Sequence, residues 1–163
     1  SLPRGATGEI SIRVLSKMRK SCGLLDSYNF SKEDTFKALH DGFYHTGDTA
    51  YRDEKGMFRY VGRNDDVIKS SGYRIGPFEI ESVIMELPYV LECGVSAVPD
   101  EVRGQIVKAS IVLVSGTDAS EELKKDIQNY VKERTAPYKY PRIVEFRDSL
   151  PKTVSGKIQR NKL

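Results

Sequence analysis

The sequence contains no tryptophan, only two cysteines and only two histidines in its 163 residues. Cys22 and Cys93 lie far apart and match no metal or redox spacing, so we predict structural thiols in a reducing compartment. His40 and His45 have no nucleophile or metal ligand at a useful spacing, and we interpret them as structural. The sequence therefore predicts no metal site formed by the residues of this chain.

Long apolar runs are also missing. No run approaches the ~20 residues that a helix needs to cross a bilayer, so no membrane span is predicted. The chain does not open with a signal-peptide pattern, and residues 1–5 are typical of a cut within a larger protein. The net charge of +3 is mild and nothing resembles a nucleic-acid module, so a nucleic-acid partner is not expected.

The first part of the chain predicts mostly β structure. Residues 8–14 alternate apolar and polar side chains, as in a half-buried strand. Ser31 is a suitable N-cap for a helix that runs to about His40, and residues 50–61 predict a hairpin. Residues 1–62 lack a second covering layer, so we expect them to pack on a part of the protein outside this chain.

A segment from Gly62 to Glu81 organises the rest of the chain. It predicts a linker, two short strands around the small-residue corner Ser70-Ser71-Gly72, and a helix. Pro77 suits the first helical position, where its missing N–H costs nothing. The helix has apolar residues at helical spacing, which indicate one buried face: Ile80, Val83, Ile84 and Leu87.

Strands and a helix alternate after this segment, which predicts a small two-layer α+β domain. We expect a strand over 92–98, a turn at Pro99-Asp100, a strand over 105–114 and a last strand over 142–146. A helix is predicted between them, with Asp118 as N-cap and Glu121 completing a capping box. An exposed loop around Lys157 follows.

Three motifs occur in a fixed order: Tyr44-His45-Thr46-Gly47-Asp48, the segment Gly62 to Glu81, and Leu150-Pro151-Lys152-Thr153-Val154-Ser155-Gly156-Lys157-Ile158-Gln159-Arg160. Together they resemble motifs of the acyl-CoA synthetase, luciferase and peptide-synthetase adenylation superfamily. The sequence around Gly72 is most similar to that of the medium-chain acyl-CoA synthetases. The Lys-Ile-Arg-Gly corner that is usual in peptide synthetases is absent. The resemblance implies that residues 1–64 end a large N-terminal domain and that residues 65–163 form a mobile C-terminal lid.

The resemblance assigns nucleotide contacts to Asp48, Arg63 and Arg74. A carboxylate after a glycine turn can accept both ribose hydroxyls, although an aspartate there is also a common turn cap. Arg63 before two acids is otherwise typical of a surface ion pair. Arg74 and Lys69 flank the glycine corner and face either phosphates or solvent.

The resemblance assigns binding of CoA, the acyl acceptor, to the Ser70-Ser71-Gly72 corner. In the family, this corner lines the channel for the pantetheine arm of CoA, which implies roles for Ser71, Gly72 and Tyr73. A glycine permits close backbone approach to a ligand, and it also suits an ordinary turn. The resemblance makes Asp65 the hinge residue about which the lid swings, where the residues alone indicate only a loop acid.

Lys157 is the catalytic residue that the resemblance implies. A lone exposed lysine is usually only a solvated group, but the whole motif from Pro151 to Arg160 matches here. Its ammonium can meet the charge that builds on an α-phosphate and an attacking carboxylate.

The implied activity is that of an ATP-dependent carboxylate–CoA ligase, which forms an acyl-adenylate and then acyl-CoA. Substrates would be a small carboxylate, ATP with Mg²⁺, and CoA. The family's phosphate loop and acyl pocket would precede residue 1, in a missing N-terminal domain that also holds most of the Mg²⁺ site, so the fragment alone should be inactive. An adenylation domain that loads a carrier-protein thiol and a non-catalytic module with the lid fold remain alternatives. We expect a cytoplasmic protein, with the mitochondrial matrix as the alternative.

Overall fold

The computed structural model describes residues 3–14 and 31–163. The chain divides into two compact units, Ser1–Asp65 and Asp66–Leu163. The predicted loop with Lys17, Arg19 and Lys20, and also Cys22, lie outside the described residues. Two sheets, three α-helices and one 3₁₀ turn make up the described fold, and the predicted α+β class is confirmed.

In its described residues, the first unit is a small antiparallel sheet with one helix. Its elements are β1 (Gly8–Arg13), α1 (Lys32–Ala38), β2 (Leu39–His40), β3 (Phe43–Arg52) and β4 (Phe58–Arg63). The long strand β3 lies in the middle and pairs with all three other strands. Ser31 caps α1 as expected, because its hydroxyl accepts a hydrogen bond from the Asp34 N–H.

Apolar side chains remain exposed on this first unit. Phe36 and Phe58 each keep 73% of their surface exposed. Other large apolar side chains on the unit are also exposed: Ile10, Ile12, Phe43, Tyr51, Met57 and Tyr60. These exposed apolar side chains are consistent with the expectation that this unit packs on a part of the protein outside this chain.

The second unit is a two-layer structure of helices on a five-stranded sheet. Its elements are β5 (Ile68–Ser70), β6 (Tyr73–Ile75), α2 (Pro77–Ile84), β7 (Val90–Asp100), β8 (Gly104–Leu113), α3 (Glu121–Arg134), β9 (Ile143–Phe146) and a 3₁₀ turn, Arg160–Lys162. Strand β8 pairs with β7 along one edge. Its other edge meets β5 at the N-terminal end and the parallel strand β9 further on.

Both helices of this unit bury an apolar stripe against the sheet. Ile80 and Ile84 of α2, and Ile127 and Val131 of α3, are fully buried. They pack with a cluster of sheet residues that includes Ile68, Ile75, Val95, Ala109 and Ile111. Burial of side chains of this size contributes about 1.5–3 kcal/mol each, which gives the unit a core of its own.

Three predicted boundaries were wrong. The helix α2 ends at Ile84, so Leu87 of the predicted apolar stripe lies beyond it. The helix α3 is capped by Ser120 and not by Asp118, because the Ser120 hydroxyl accepts a hydrogen bond from the Leu123 N–H. Both residue types cap helices well, and the pattern alone did not separate them. Pro99-Asp100 is not a turn, because β7 continues to Asp100. Strand β7 lies at the sheet edge, where a proline without an N–H is tolerated.

Candidate functional site

Asp48 and Arg63 face each other across two paired strands of the first unit. They are register partners on β3 and β4. The Arg63 Nη1 lies 3.9 Å from Asp48 Oδ1 and donates to the Thr46 carbonyl oxygen at 3.1 Å. Asp48 is only partly exposed and also accepts from the Tyr60 hydroxyl at 3.4 Å. The two predicted nucleotide residues thus lie together, one offering acceptors and the other donors.

Gly47 makes this arrangement possible. Its φ of +73° lies in the left-handed region that favours glycine. A Cβ at this position would lie 2.9 Å from Arg63 Nη2. The Gly47 carbonyl accepts from the Asn64 N–H, so the turn and the strand end are held together. The guanidinium of Arg63 therefore lies directly over a residue that must lack a side chain.

Glu9 supports the same turn, and the sequence alone gave no reason to single it out. Its Oε1 accepts from the Gly47 N–H at 3.0 Å, and its Oε2 lies 2.9 Å from His45 Nδ1. Burial raises the pKa of Glu9, but the hydrogen bonds from His45 and Gly47 outweigh it and lower the pKa below its usual value. The His45 ring stacks on His40 with 3.8 Å between centroids, which supports the structural role predicted for both.

Asp65 and Asp66 are adjacent, yet each pairs within a different unit. Asp65 is largely exposed and lies 3.5 Å from Arg63 Nη2 in the first unit. Asp66 accepts a 2.9 Å hydrogen bond from Arg160 Nη1 in the second unit. The division between the compact units falls on the peptide bond between these two residues. The predicted hinge position is therefore the last residue of the first unit.

The predicted acceptor corner is a tight turn between β5 and β6. Ser71 and Gly72 both have positive φ, +49° and +83°, as a type I′ hairpin turn requires. A Cβ on Gly72 would meet nothing within 4 Å among the described residues. The turn conformation, and not crowding within the chain, explains this glycine. Its neighbour Tyr73 stacks on Tyr138 with 4.0 Å between ring centroids.

Two cations stand side by side on this hairpin. Lys69 and Arg74 are register partners on β5 and β6, and both are exposed. Neither side chain forms an ion pair with a carboxylate in residues 3–14 or 31–163. Like charges directly opposite each other destabilise a hairpin, so an anion beside them would be stabilising.

Lys157 lies on a short hairpin, residues 151–160, which we call the Lys157 arm. The arm is closed by hydrogen bonds from Gln159 N–H to the Pro151 carbonyl and from Thr153 N–H to the Lys157 carbonyl, both 2.8 Å. The Thr153 hydroxyl accepts from the Lys157 N–H at 3.1 Å. The Lys157 side chain is exposed and makes no ion pair within the described residues. Its ammonium is therefore available to an external anion.

The Lys157 arm and the Gly72 corner lie at opposite ends of the β7–β8 ladder. Lys152 of the arm pairs with Glu92 near the start of β7. The corner lies at the other end, where Ser71 N–H donates to the Arg103 carbonyl, and Gly104 pairs with Asp100. Asp100 lies eight residues after Glu92, a separation of roughly 26 Å in extended strand. The structure does not bring Lys157 together with the Ser71–Tyr73 corner.

A metal site is not formed by the residues that the structure describes. No group of three or more histidine, cysteine or acidic side chains is placed to hold an ion within them. Within this same part of the chain, no helix is both long and apolar enough to cross a membrane.

Residues 79–157 match the AMP-binding enzyme C-terminal domain. The matched stretch is just under half of the chain. A relative, the mitochondrial acyl-coenzyme A synthetase ACSM3 of Mus musculus, is 50% identical over 100% of this chain and 28% of its own length. The 4-hydroxybutyrate–CoA ligase 1 of Metallosphaera sedula is 52% identical over 86% of this chain and 25% of its own length. The predicted resemblance to acyl-CoA synthetases is confirmed.

Solved structures agree with these relatives. The anthranilate CoA ligase AuaEII in complex with anthranoyl-AMP superposes with a TM-score of 0.84 at 35% identity. The match covers 99% of this chain and 30% of that one. The chain thus spans less than a third of the length of these relatives.

Proposed function

We propose that this chain is the C-terminal portion of an ATP-dependent carboxylate–CoA ligase. Residues 1–64 would complete a large adenylation domain, and residues 65–163 would be its mobile lid. The observation that carries the proposal is that the Lys157 arm and the Ser71–Tyr73 corner contact opposite ends of the β7–β8 ladder, at Glu92 and at Asp100, which are roughly 26 Å apart along the strand. Two separate faces on one rigid unit suit two successive reactions at one nucleotide site.

Asp48 and Arg63 would hold the nucleotide in both reactions. The Asp48 carboxylate has acceptors for two ribose hydroxyls. Arg63 lies beside it with a guanidinium that is half exposed, so it can reach a nucleotide oxygen while keeping its bond to Thr46. Arg74 would contact the nucleotide from the lid hairpin.

Lys157 would act in the first reaction. A carboxylate oxygen of the substrate attacks the α-phosphorus of ATP, and the bond to pyrophosphate breaks with its electron pair on pyrophosphate. The ammonium is exposed and pairs with no carboxylate among the described residues, so it can stabilise the negative charge that builds on the α-phosphate. Loss of a contact of this kind typically raises the barrier by about 2.7–4 kcal/mol.

The hairpin corner would act in the second reaction, after the lid has turned about Asp65. The CoA sulfur attacks the acyl carbon, AMP leaves with the carboxylate oxygen, and the thiol proton passes to solvent. A glycine at position 72 leaves the backbone bare for the pantetheine arm. Ser71 and Tyr73 would border the same channel.

Mg²⁺ would neutralise phosphate charge on ATP. Asp48 and Asp65 both lie near Arg63, and the described residues form no ion-binding cluster. Ligands for Mg²⁺ are therefore expected in the missing N-terminal part. This chain's own residues bind and orient the nucleotide and supply a mobile ammonium.

The test uses the longer protein that includes this chain. Lys157→Ala should abolish carboxylate-dependent ATP–pyrophosphate exchange and preserve thioester formation from supplied acyl-adenylate. Thioester formation that requires a carrier protein in place of CoA would support the carrier-loading alternative. A longer protein with no exchange before mutation would favour the non-catalytic module.

We also propose the mitochondrial matrix for the longer protein, which was the alternative to a cytoplasmic location. The support is a half-identical relative that is named mitochondrial. Fractionation of cells that express the longer protein, with matrix and cytosolic markers, tests the assignment. Recovery in the cytosolic fraction would restore the first expectation.

A further inference from the structure

Arg160 joins the two ends of the second unit. Its Nε and Nη2 donate to Oε1 and Oε2 of Glu81 at 2.8 and 2.7 Å, a bidentate pair. Its Nη1 donates to Asp66 Oδ2 at 2.9 Å. Both acceptors are mostly buried, with 11% and 26% of the side chains exposed. One guanidinium therefore fixes a helix and the first residue of the unit to the base of the Lys157 arm.

Glu81 cannot easily accept another partner. Its Oε1 also accepts from the Val95 N–H of β7 at 2.9 Å, so the carboxylate is held by a helix position and a strand position. A buried carboxylate without a cation is costly. The hydrogen bonds from Arg160 to Glu81, and then the charges of Glu81 and Asp66, outweigh burial and raise the pKa of the guanidinium. The geometry fixes where Arg160 must lie.

We propose that Arg160 is a positioning residue for Lys157. It lies three positions after Lys157, at the base of the arm, and it ties that base to Asp66, the residue that follows the hinge. This inference rests on the proposed function of Lys157. With the tie in place, the arm and the body of the lid turn together, and the ammonium reaches the same point on each cycle.

The other contacts of the Lys157 arm hold it less firmly than the bonds of Arg160 do. Lys152 pairs with Glu92 at a partly exposed site, where ion pairs contribute little. Ile158 and Leu163 pack against Gly94 through apolar contacts that do not fix a direction. Without Arg160 we expect the arm to stay attached and its tip to shift. A misplacement of about 1 Å can cost a reaction 10²-fold.

The first experiment measures the arm in the 163-residue chain and needs no activity. Arg160→Gln should speed amide hydrogen exchange at Thr153, Lys157 and Gln159 by more than about tenfold, because their hydrogen bonds close the arm. Val131→Ala, a core change in α3, is the control for a general loss of stability. If Arg160→Gln does not fold, Asp66→Ala removes one of the three bonds and should give a smaller increase.

The second experiment measures the two half-reactions in the longer protein. Arg160→Gln should lower kcat of ATP–pyrophosphate exchange by about 10²-fold with little change in KM for ATP. Thioester formation from supplied acyl-adenylate should fall less than about threefold. Arg160→Lys should recover part of the exchange, since a single ammonium replaces one bond of the fork.

Two outcomes would overturn the inference. One is that Arg160→Gln leaves amide hydrogen exchange in the arm unchanged, or speeds it no more than Val131→Ala does. The other is an equal loss in both half-reactions, which indicates a purely structural role. Absence of exchange activity in the unaltered longer protein would instead count against the proposed function, and the amide measurement would still decide whether Arg160 holds the arm.

Discussion

The Cδ1 atom of Leu163 lies 2.7 Å from the point where a Cβ on Gly94 would stand. Ile158 Cγ2 lies 3.1 Å from the same point. The end of the chain therefore packs into the space that a side chain at position 94 would fill. This contact holds the segment after the Lys157 arm against β7.

Gly94→Ala tests that contact. The φ of Gly94 is not in the left-handed region, so the backbone accepts alanine and the effect comes from crowding. We expect a loss of about 1 kcal/mol in the free energy of unfolding, at the low end for overpacking, because the Leu163 side chain can move. In a Leu163→Ala background, Gly94→Ala should lower the free energy of unfolding by less. Denaturant unfolding of the unaltered chain, the two single variants and the double variant gives the coupling energy between the two positions. Equal costs in both backgrounds would contradict the contact.

Gly47→Ala should weaken nucleotide binding beyond its effect on stability. The left-handed φ costs alanine roughly 1–2 kcal/mol, and the new Cβ displaces the Arg63 guanidinium. ATP binding to the longer protein, measured by calorimetry, should weaken several-fold.

Gly56→Ala is the matched control for this change. Gly56 has a similar φ of +81°, but its nearest neighbour would be Arg52 Nη2 at 3.4 Å. The stability loss should be similar in the two variants, and ATP binding should change only for Gly47→Ala. Equal weakening of ATP binding in both variants would contradict the placement of Arg63 in the nucleotide site.

Asp65→Pro should slow thioester formation and spare adenylation. Proline fixes φ and restricts the residue before it, so the proposed pivot would become stiff. Asp65→Asn is the control, because it removes only an exposed ion pair with Arg63 of small energetic value. Half-reaction rates in the longer protein provide the measurement. Equal losses in both steps would argue against a pivot at this residue.

Cys93 should make the stability of the second unit pH-dependent in alkali. Burial, followed by the nearby charge of Glu81, raises the pKa of its thiol to about 12 from the usual 9.0. Above pH 9 the unfolded thiol loses its proton and the folded one keeps it, so stability is full below 9 and falls as pH rises toward 12. The slope approaches 1.4 kcal/mol per pH unit.

Cys93→Ala isolates that slope from tyrosine and lysine titration. Urea unfolding at several pH values between 8.5 and 11 should show a shallower decline for Cys93→Ala than for the unaltered chain. With Cys22 replaced by serine, the remaining thiol should not react with a disulfide reagent until the chain unfolds. Rapid labelling of the folded chain would contradict the burial.

Much of the architecture could be predicted from local patterns. Pro77 and the stripe from Ile80 to Leu87 marked a helix, and the helix is present, although it ends at Ile84. Ser71 and Gly72 marked a tight corner, and both have positive φ. These features depend on neighbours in sequence, where propensity and periodicity act.

The residues that support the site could not be predicted in this way. Glu9 meets the Gly47 turn from 38 positions away, and Arg160 meets Glu81 from 79 positions away. Such partners become neighbours only when the sheet has formed its register. Arg160 lies within the third motif, but nothing in the spacing of charges indicated its bonds to Glu81 and Asp66.

The bond between Asp66 and Arg160 spans 94 positions, and this sets an order of events during synthesis. A ribosome that adds about 5–20 residues per second delivers the acidic partners well before the arginine. Until the last turn emerges, Glu81 and Asp66 are carboxylates without their cation. A premature stop codon at or before position 157 would therefore remove both the Lys157 ammonium and the Arg160 guanidinium that neutralises Glu81 and Asp66, and we expect such a product to be degraded.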